Sequence, residues 1–588
     1  MNILQNIVFP GYSSNIPDEM YLRCLDRSLF LRNRNSVCME AYGKCSFGTY
    51  FNGFMLEGWR GKAKISTLFA TLRGQGRVCV RFLLERHSTN TARLILEQEI
   101  ILTEEGIVFS LDETLKWQDG MLYVELIALE DNTYFTGGEY WSNTQPTNTV
   151  KLGLVITHFN RKNYVLPAIE RITQHILKHP DYQKSIKLIV VDNSSNILPE
   201  EAGMATLIPN QNLGGSGGFT RGLLHLIDDQ TFTHCLFMDD DASCEIESIL
   251  RTYTLLQYVT EEKFAVAGSL LLEDNPTVLH EKGAFLGKYG VQTCLHRGIN
   301  IIDKEGAMHS ERTDIIPNYG AWWFLAFKIS DISVYPYPFF VRGDDILFSL
   351  TNQLSIFTLS GISCWGEDFA IKESPLTRYL SFRSILVCSV LLDNLPWHRF
   401  VKIYMHWALV NMFSYHYASA EAILMAAEDF MKGPSCFLDD MSAVKVREKI
   451  APLSAQEKLS KIERKSNFFI SPEFKHERWK KLFRIILLNG FLLPSFLLKN
   501  GPVRQNKGFR ATFREIFRYK KVYYEYESEG VGYMAYHDKK KFFSLLYRLL
   551  KSLIQFSYHY GSIKKEYRDR MSEMTSLAFW RSIYDKNI

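Results

Sequence analysis

The stretch HCLFMDDD, residues 234–241, joins a short apolar run to three adjacent carboxylates. Two similar runs precede it, LGLVITHF at 152–159 and IKLIVVDNSS at 186–195, and segments of helical pattern lie at 165–178 and 245–260. Apolar strands that do not alternate with polar residues are typical of a parallel sheet covered on both faces. The alternation of short strands with helices therefore predicts an open α/β sheet in this part of the chain.

Polar residues follow each apolar run, where open α/β sheets place their ligands. They are Thr157, Phe159 and Arg161 after the first run, Asp192 after the second, and Asp239, Asp240 and Asp241 after the third. Side chains at i and i+2 of a strand point the same way, so Asp239 and Asp241 are suited to hold one hard divalent cation, whereas Asp240 points elsewhere. Such a cation would neutralise a diphosphate leaving group.

A glycine-rich stretch, QNLGGSGGFTRGL at 211–223, lies between the second and third runs. We interpret it as a flexible turn whose glycines let the backbone approach a bulky nucleotide closely. The glycines concerned are Gly214, Gly215, Gly217 and Gly218. A lone D-x-D or a lone glycine-rich loop is weak evidence, but the ordered set of strand ends predicts a nucleotide-sugar site.

The pattern divides the chain into three predicted domains. Residues 1–148 contain short alternating segments such as RVCVRFLL at 77–84, which predict an N-terminal β-sandwich. A polar linker, SNTQPTNTV at 142–150, leads into the α/β domain predicted for residues 149–400. Residues 401–588 combine helical patterns with many basic residues, so we expect a helical, basic C-terminal region.

The composition is that of a folded globular protein, with 46% hydrophobic and 22% charged residues. A chain of 588 residues is too long for one core, so we expect two to four domains. The ten cysteines are scattered without zinc-binding spacing, which favours a reducing compartment over a disulfide scaffold. The start MNILQNIVFPGY lacks the pattern of a signal peptide. Together these features predict a cytoplasmic protein.

Basic charge is concentrated toward the C-terminus. Residues 475–570 contain 22 Lys and Arg against 8 Asp and Glu, a local balance of +14, whereas the whole chain has a net charge of +4. The apolar segments in this region, at 478–500 and 538–556, do not have the length of uninterrupted apolar sequence that spans a bilayer. They suit attachment to an anionic membrane surface, with buried core helices as the alternative. No nucleic-acid-binding motif accompanies them, so we expect no nucleic acid partner.

The motifs VITHFNR, VVDNSS, NLGGSGGFTRG and FMDDDA together resemble family 2 glycosyltransferases with a GT-A fold. In detail the chain resembles galactofuranosyltransferases that polymerise cell-wall galactan. That resemblance extends to FGTYFNGFMLEGW at 47–59, NYGAWWFLAF at 318–327 and PYPFFVRGDDILF at 336–348. It implies an N-terminal β-sandwich, a Rossmann-like α/β GT-A catalytic domain, a helical C-terminal region and UDP-galactofuranose as donor.

The resemblance also implies a role for each matched residue. Asp239 and Asp241 would hold Mn²⁺ or Mg²⁺ against the UDP diphosphate. Asp344 would hold the acceptor, and Asp345 would be the general base that deprotonates the attacking hydroxyl. The residues that would bind the donor are Thr157, Phe159, Arg161, Asp192, Asn212, Gly214, Gly215, Arg221 and Asp240.

Two motifs beyond the aspartate triplet have plainer alternatives. Trp322 and Trp323 would stack on sugar faces of the acceptor, because an indole offers an apolar platform with an N–H group. The alternative for this pair is ordinary core packing. For Asp344 and Asp345 the alternative is a loop with solvated acids.

One segment departs from the family pattern. The family supplies a histidine metal ligand directly after a tryptophan, but here CWGEDF at 364–369 has Gly366 in that place. Glu367 would be an oxygen ligand one residue out of register, and His398, in PWHRF, is a tryptophan–histidine pair farther downstream. The third metal ligand is therefore open between Glu367 and His398.

The sequence thus predicts an inverting, metal-dependent galactofuranosyltransferase that extends a lipid-linked bacterial surface polysaccharide, such as an O-antigen or capsule. It would work as a peripheral protein at the inner face of the plasma membrane. One alternative is a glycosyltransferase of the same fold that uses another nucleotide sugar. The other is an inactive glycan-binding assembly protein. The acceptor, the linkage, the number of sugars added and any homo-oligomer stay open.

Overall fold

A computed structural model describes residues 1–11, 15–87, 91–312, 314–461, 469–470, 483–507 and 513–585 of the chain. The N-terminal part of this structure consists of β-strands, the middle is an α/β sheet, and the C-terminal part combines helices with a second, smaller sheet region. The α/β part and the C-terminal part contribute the residues that position the candidate site.

The N-terminal part is built around one long strand. Its strands are β1 (Asn2–Asn6), β2 (Arg23–Leu25), β3 (Ser28–Leu31), β4 (Ser36–Met39), β5 (Lys44–Ser46), β6 (Phe54–Met55), β7 (Phe69–Glu85), β8 (Ala92–Leu102), β9 (Ile107–Ser110), β10 (Met121–Ala128) and β11 (Thr133–Ser142). The first half of β7 pairs with β9 and β11, and the second half pairs with β8 and β10. Between the halves, Gly76 has a φ of +102°, which side-chain-bearing residues rarely adopt, so glycine allows one strand to serve both pairings.

The predicted α/β sheet is present. Its strands run in the order β14 (Thr206–Pro209), β13 (Ile186–Asp192), β12 (Leu152–His158), β15 (His234–Asp239), β22 (Phe324–Lys328), β17 (Phe264–Ala267) and β23 (Ser355–Phe357). Strands β12 to β15 are parallel, and β22 is antiparallel to both of its neighbours. The helices of this part are α1 (Lys162–Ile172), α2 (Pro199–Ala202), α3 (Gly214–Asp229), α4 (Ile246–Tyr258), α5 (Lys304–His309), α6 (Asp344–Thr351) and α7 (Phe369–Lys372). Six residues of β12 and β15 pair in register, so these two strands end together.

A four-stranded sheet and a hairpin lie beside the main sheet. The strands of the small sheet are, in spatial order, β16 (Ser243–Cys244), β24 (Ser363–Gly366), β18 (Ser269–Leu272) and β19 (Leu279–Glu281), and the hairpin consists of β20 (Ala284–Gly287) and β21 (Val291–Cys294). Strand β16 directly follows the aspartate triplet and pairs with β24. This pairing brings the segment after Gly366 back toward the aspartates.

The C-terminal part differs from the prediction in two ways. Its helices are α8 (Pro375–Asp393), α9 (Trp397–Phe413), α10 (Tyr417–Phe430), α11 (Ser435–Leu438), α12 (Val444–Ser454), α13 (Lys539–Met574) and α14 (Leu577–Asp585). It also contains a five-stranded sheet of β25 (Ser460–Lys461), β29 (Val531–Tyr536), β28 (Tyr519–Tyr526), β27 (Lys499–Asn506) and β26 (Phe469–Ile470), which the sequence analysis missed. The predicted boundary after residue 400 is wrong, because it falls inside α9 and inside one hydrophobic core that joins Tyr337 and Phe339 to α8, α9, α10 and α13.

Helix α8 is the one described helix with the length and hydropathy of a membrane span. Of the apolar stretch of this helix, 67% is buried inside the protein. Tyr379, Phe382 and Leu386 of this helix belong to the hydrophobic core of the C-terminal part. Burial of this kind is what a core helix requires.

A buried ion pair ties the N-terminal strands to helix α4. Arg251 is fully buried, and its Nε lies 3.1 Å from Oε1 of Glu247. The guanidinium also donates to the carbonyl of Phe51, and the Asn6 backbone N–H and side-chain amide donate to Glu247 at 2.8 and 2.9 Å. Gly361 makes room for this arrangement, because a Cβ there would overlap the Arg251 guanidinium.

We expect Arg251→Met to lower the free energy of unfolding by about 3 kcal/mol, because it leaves the Glu247 charge buried without its main partner. Urea unfolding followed by circular dichroism would measure the change. Arg81→Met removes the partner of Glu97 from an exposed ion pair of 2.6 Å and is the matched control, with a much smaller expected effect. Equal losses in the two variants would contradict a special role for the buried pair.

Candidate active site

The aspartate triplet lies at the carboxyl end of β15, as the sequence predicts. Thr157 at the end of β12 is in register with Asp239, and His158 is in register with Asp192 of β13. The polar residues at the ends of these three strands therefore lie at one edge of the sheet, which is where the candidate site lies.

Asp240 is turned toward the loop after β12. Its Oδ2 lies 3.1 Å from Nδ1 of His158, and the backbone N–H of Phe159 donates to the same oxygen at 3.2 Å. The other ring nitrogen of His158, Nε2, lies 2.9 Å from the amide oxygen of Asn196. Burial alone would lower the pKa of His158, but these partners raise it above its ordinary value. The sequence analysis quoted His158 within a motif but assigned it no role.

Two cationic side chains meet at Asp241. Arg161 Nη1 pairs with Oδ2 of Asp241, and Lys372 Nζ lies 2.8 Å from the same oxygen. Lys372 is also 3.3 Å from Oε2 of Glu367. Burial would raise the pKa of Asp241, yet the charges of Lys372 and Arg161 hold it below its usual value. The sequence analysis missed Lys372, which lies 131 residues from its partner.

The glycine-rich stretch is not a flexible turn, which corrects the sequence interpretation. Gly214 begins α3 with a φ of +68°, and a Cβ on it would overlap the carbonyl of Phe340. A Cβ on Gly218 would lie 2.6 Å from Cγ2 of Thr157. The glycines therefore let α3 pack closely on the sheet and on the segment before α6. Gly215 is the one of the four that faces the acids, since a Cβ there would lie 3.3 Å from Oδ2 of Asp344.

The double aspartate begins helix α6. Gly343, with a φ of +84°, makes the turn that places Asp344 and Asp345 in the first helical turn. Ser216 of α3 donates its hydroxyl to Oδ2 of Asp344 at 3.0 Å. The backbone N–H of Ile346 lies 2.8 Å from Oδ1 of Asp345. The glycine-rich helix and the double aspartate thus form one wall of the site.

The acids of the two motifs influence each other electrostatically. Burial, followed by the charges of Asp241 and Asp240, raises the pKa of Asp239 to about 7, and Asp344 adds to this effect. Burial and the charge of Asp345 raise the pKa of Asp344 to about 7. Burial raises the pKa of Asp345 to about 6, although the Ile346 N–H and Arg342 lower it. The carboxylates of the D-x-D and of the double aspartate are therefore close enough to affect each other's ionisation.

The carboxylate of Asp192 accepts hydrogen bonds from the loop that follows β13. It accepts hydrogen bonds from the backbone N–H groups of Ser194, Asn196 and Ile197 at 2.8–2.9 Å and from the Ser194 hydroxyl at 2.8 Å. Burial would raise the pKa of Asp192, but these donors lower it below its usual value. Asp192 therefore shapes the loop beside His158, and its contact with a donor stays a prediction.

Two further donor-site predictions are changed by the structure. Asn212 accepts from the backbone N–H of Gly214 at 3.0 Å and so stabilises the start of α3. The guanidinium of Arg221 lies 5.0 Å from the ring centroid of Tyr584 in α14, whose hydroxyl donates to the carbonyl of Gly217. Arg221 thus faces the C-terminal helix and not the pocket.

Trp322 and Trp323 have different environments. Trp322 is only 4% exposed and makes edge-on contacts with Phe219, Phe237 and Phe348 in the core. Core packing, the alternative stated above, is therefore correct for Trp322, and its predicted stacking on a sugar is wrong. Trp323 is partly exposed and donates its indole N–H to the carbonyl of Gly268 at 3.0 Å.

The acids do not assemble the three-ligand metal site that the resemblance implies. Among the residues that the structure describes, no group of three or more histidine, cysteine, aspartate or glutamate side chains is placed to hold a metal ion. Glu367 is close to Asp241 but pairs with Lys372, and Asp241 itself is matched by two cations. His398 lies in the first turn of α9, beside Trp397, which stacks on Phe400 in the C-terminal core. The donor set therefore does not fit a divalent cation without rearrangement.

Comparison with known proteins gives one consistent result. No protein-family model matches the chain. The galactofuranosyltransferase GlfT2 of Mycolicibacterium smegmatis is 23% identical over 437 residues, which are 68% of this chain and 66% of the relative. The galactofuranosyltransferase GlfT2 of Mycobacterium tuberculosis is 24% identical over 448 residues, 68% of this chain and 67% of the relative. The match thus spans about two thirds of the length of each relative.

Similarity to solved structures is weaker. A structure of GalNAc-T7 with UDP, GalNAc and Mn²⁺ covers 43% of this chain and 50% of its own, with 8% identity and a TM-score of 0.31. Mannosyl-3-phosphoglycerate synthase from Rubrobacter xylanophilus covers 40% of this chain and 73% of its own, with 13% identity and a TM-score of 0.24. Such scores carry no argument. The two sequence relatives confirm that the chain resembles galactofuranosyltransferases.

Proposed function

We propose that the chain is an inverting glycosyltransferase that moves galactofuranose from UDP-galactofuranose to the end of a lipid-linked surface polysaccharide. One observation carries the proposal. The D-x-D and the double aspartate, which are far apart in sequence, lie near each other at the carboxyl edge of the sheet, because helix α3 packs on Thr157, the residue in register with Asp239, and also contacts Asp344. A nucleotide-sugar site next to a candidate general base is what transfer to a hydroxyl requires.

Asp345 is the proposed general base. Its pKa of about 6 leaves the carboxylate ionised at neutral pH and close enough to that pH to accept a proton effectively. The acceptor O–H bond breaks as its oxygen forms the new bond to the anomeric carbon, and Asp345 takes the proton. The bond from that carbon to UDP breaks at the same time, so the anomeric centre inverts. Asp344, held by Ser216, positions the acceptor.

The donor would lie along the ends of β12 and β15. Phe159 is 41% exposed there, and Thr157 is in register with Asp239. Mn²⁺ or Mg²⁺ dependence is a proposal from the resemblance alone, and the GalNAc-T7 structure was obtained with Mn²⁺. Asp241 is already paired with Arg161 and Lys372, and the steps given above use only side chains of this chain.

Activity is tested by mixing the protein with UDP-galactofuranose and a short galactofuranosyl-terminated acceptor, with and without Mn²⁺, and following UDP release and product mass. We expect products heavier by one or more hexoses. Turnover only with another nucleotide sugar would support a glycosyltransferase but show that its donor is not UDP-galactofuranose. Binding of acceptor without turnover of any donor would favour the non-catalytic alternative.

We expect Asp345→Asn to lower the turnover number by about 10²–10⁴-fold, because the amide cannot accept the proton. The same change should raise the melting temperature in metal-free buffer at pH 8. The folded-state pKa of Asp345 is raised, so its ionisation costs stability as pH rises through about 6, and the amide avoids that cost.

The stabilisation by Asp345→Asn should therefore be larger at pH 8 than at pH 5. Asp569→Asn, an exposed acid on α13, is the matched control and should change neither activity nor melting temperature. A wild-type turnover number in Asp345→Asn would show that Asp345 is not the general base.

We also propose that helix α13 attaches the protein to an anionic membrane surface at the inner face of the plasma membrane. Five large side chains on one face of this helix are exposed, namely Phe543, Tyr547, Leu550, Ile554 and Tyr558. Their spacing of three and four residues aligns them in one stripe. The exposed Lys540, Lys551 and Lys565 flank the stripe in the helical pattern.

A second group of exposed apolar residues adjoins the start of α13. Its members are Phe483, Ile485, Ile486, Leu492, Phe496 and Leu497. Phe491 between them stacks on Phe542 of α13 with ring centroids 3.9 Å apart, which fixes this segment against the helix. Residues 478–482 of the predicted segment lie outside the described residues. Apolar side chains among lysines and arginines suit the headgroup layer of an anionic bilayer.

We expect the protein to co-sediment with vesicles that contain 30% phosphatidylserine and not with neutral vesicles, and the double variant Tyr547→Ser, Ile554→Ser to bind at least tenfold less. Leu29→Ser with Ile101→Ser removes two equally exposed apolar residues from the N-terminal strands and is the control. Unchanged binding by the α13 variant, or equal binding to neutral vesicles, would contradict the proposal.

A further inference from the structure

Asp241 is the acid of the triplet whose charge the protein already neutralises. Arg161 and Lys372 both contact its Oδ2. The two cations are only partly covered, with 37% of the Arg161 side chain and 27% of the Lys372 side chain exposed. Asp241 thus holds two positive groups at the place where the resemblance expects a metal ion.

Lys372 is held in this position by the C-terminal sheet. It ends the short helix α7, whose Ala370 carbonyl accepts from Nζ of Lys507 in the segment after β27. Nζ of Lys507 also lies 3.3 Å from the carbonyl oxygen of Glu373. At the other end of α7, Tyr526 of β28 lies 3.4 Å from Oδ2 of Asp368. These contacts fix helix α7, so Lys372 is held in position beside Asp241.

The cations extend across the pocket toward the general base. Lys372 lies 5.9 Å from the ring centroid of Phe369, and the guanidinium of Arg342 lies 4.9 Å from the same ring. Arg342 in turn lowers the pKa of Asp345. Arg161, Lys372 and Arg342 therefore form a row of positive charge between the D-x-D and the double aspartate.

We propose that Lys372, together with Arg161, binds the diphosphate of the nucleotide-sugar donor and replaces the divalent cation at Asp241. This proposal rests on the proposed function, since it assigns the donor's diphosphate to that site. Both side chains have further N–H groups beyond those that contact Asp241, and charge-assisted hydrogen bonds to phosphate are among the strongest available. Asp241 orients the two cations, and they offset the charge that develops on departing UDP.

The test is the affinity for UDP, measured by calorimetry in EDTA and in Mn²⁺. The wild-type dissociation constant should differ less than threefold between the two conditions. Lys372→Met should raise it at least tenfold in EDTA, and Lys372→Arg should keep it within threefold of wild type. Lys402→Met, an exposed lysine on α9, is the control and should have no effect.

Two results would overturn the proposal, and they are distinguishable from each other. In the first, the wild-type affinity for UDP falls more than tenfold in EDTA and Lys372→Met binds UDP as tightly as wild type. That result would show that a metal ion binds the diphosphate, and it would leave the proposed function intact. No UDP binding by wild type in either condition would remove the nucleotide-sugar function as well. Equal melting temperatures for the three lysine variants would show that a loss of binding is not a loss of folding.

Discussion

Repulsion among five carboxylates in one pocket is the constraint on which the site depends. Asp239, Asp240, Asp241, Asp344 and Asp345 all approach the carboxyl edge of the sheet, and burial raises the pKa of three of them. Each remaining charge is met by a group from another element: a histidine of β12, a cation of the following loop, a lysine of α7. The site is stable because distant segments supply these partners, while the acids with raised pKa values are offset mainly by taking up protons.

The sequence predicted the parts of the site that depend on local pattern. Unbroken apolar runs identified the parallel strands, and the residues that follow them did meet at one edge because parallel strands end together. These predictions needed only the period of a strand and the direction of a sheet. The role expected for the double aspartate came instead from the family resemblance.

Partners from distant segments could not be predicted in this way. Lys372 reaches Asp241 only because β24 pairs with β16, and nothing in its own surroundings in the sequence indicates that contact. Trp322 and the glycines of α3 were misread for a related reason. A glycine or tryptophan is suited both to a ligand site and to close packing, and only the neighbouring elements decide between these uses. The C-terminal sheet was missed because its strands lie within a basic region of mostly helical pattern.

The hydrophobic core shared by the two halves of the chain limits how this protein can be recombined. Tyr337 and Phe339, just before the double aspartate, pack with α8, α9, α10 and α13 in one core, and α14 donates a hydrogen bond to the glycine-rich helix. A chain cut near residue 400 would expose that core and remove the C-terminal helix that contacts the glycine-rich helix. The α/β sheet and the C-terminal helices therefore depend on each other for folding and cannot be exchanged separately.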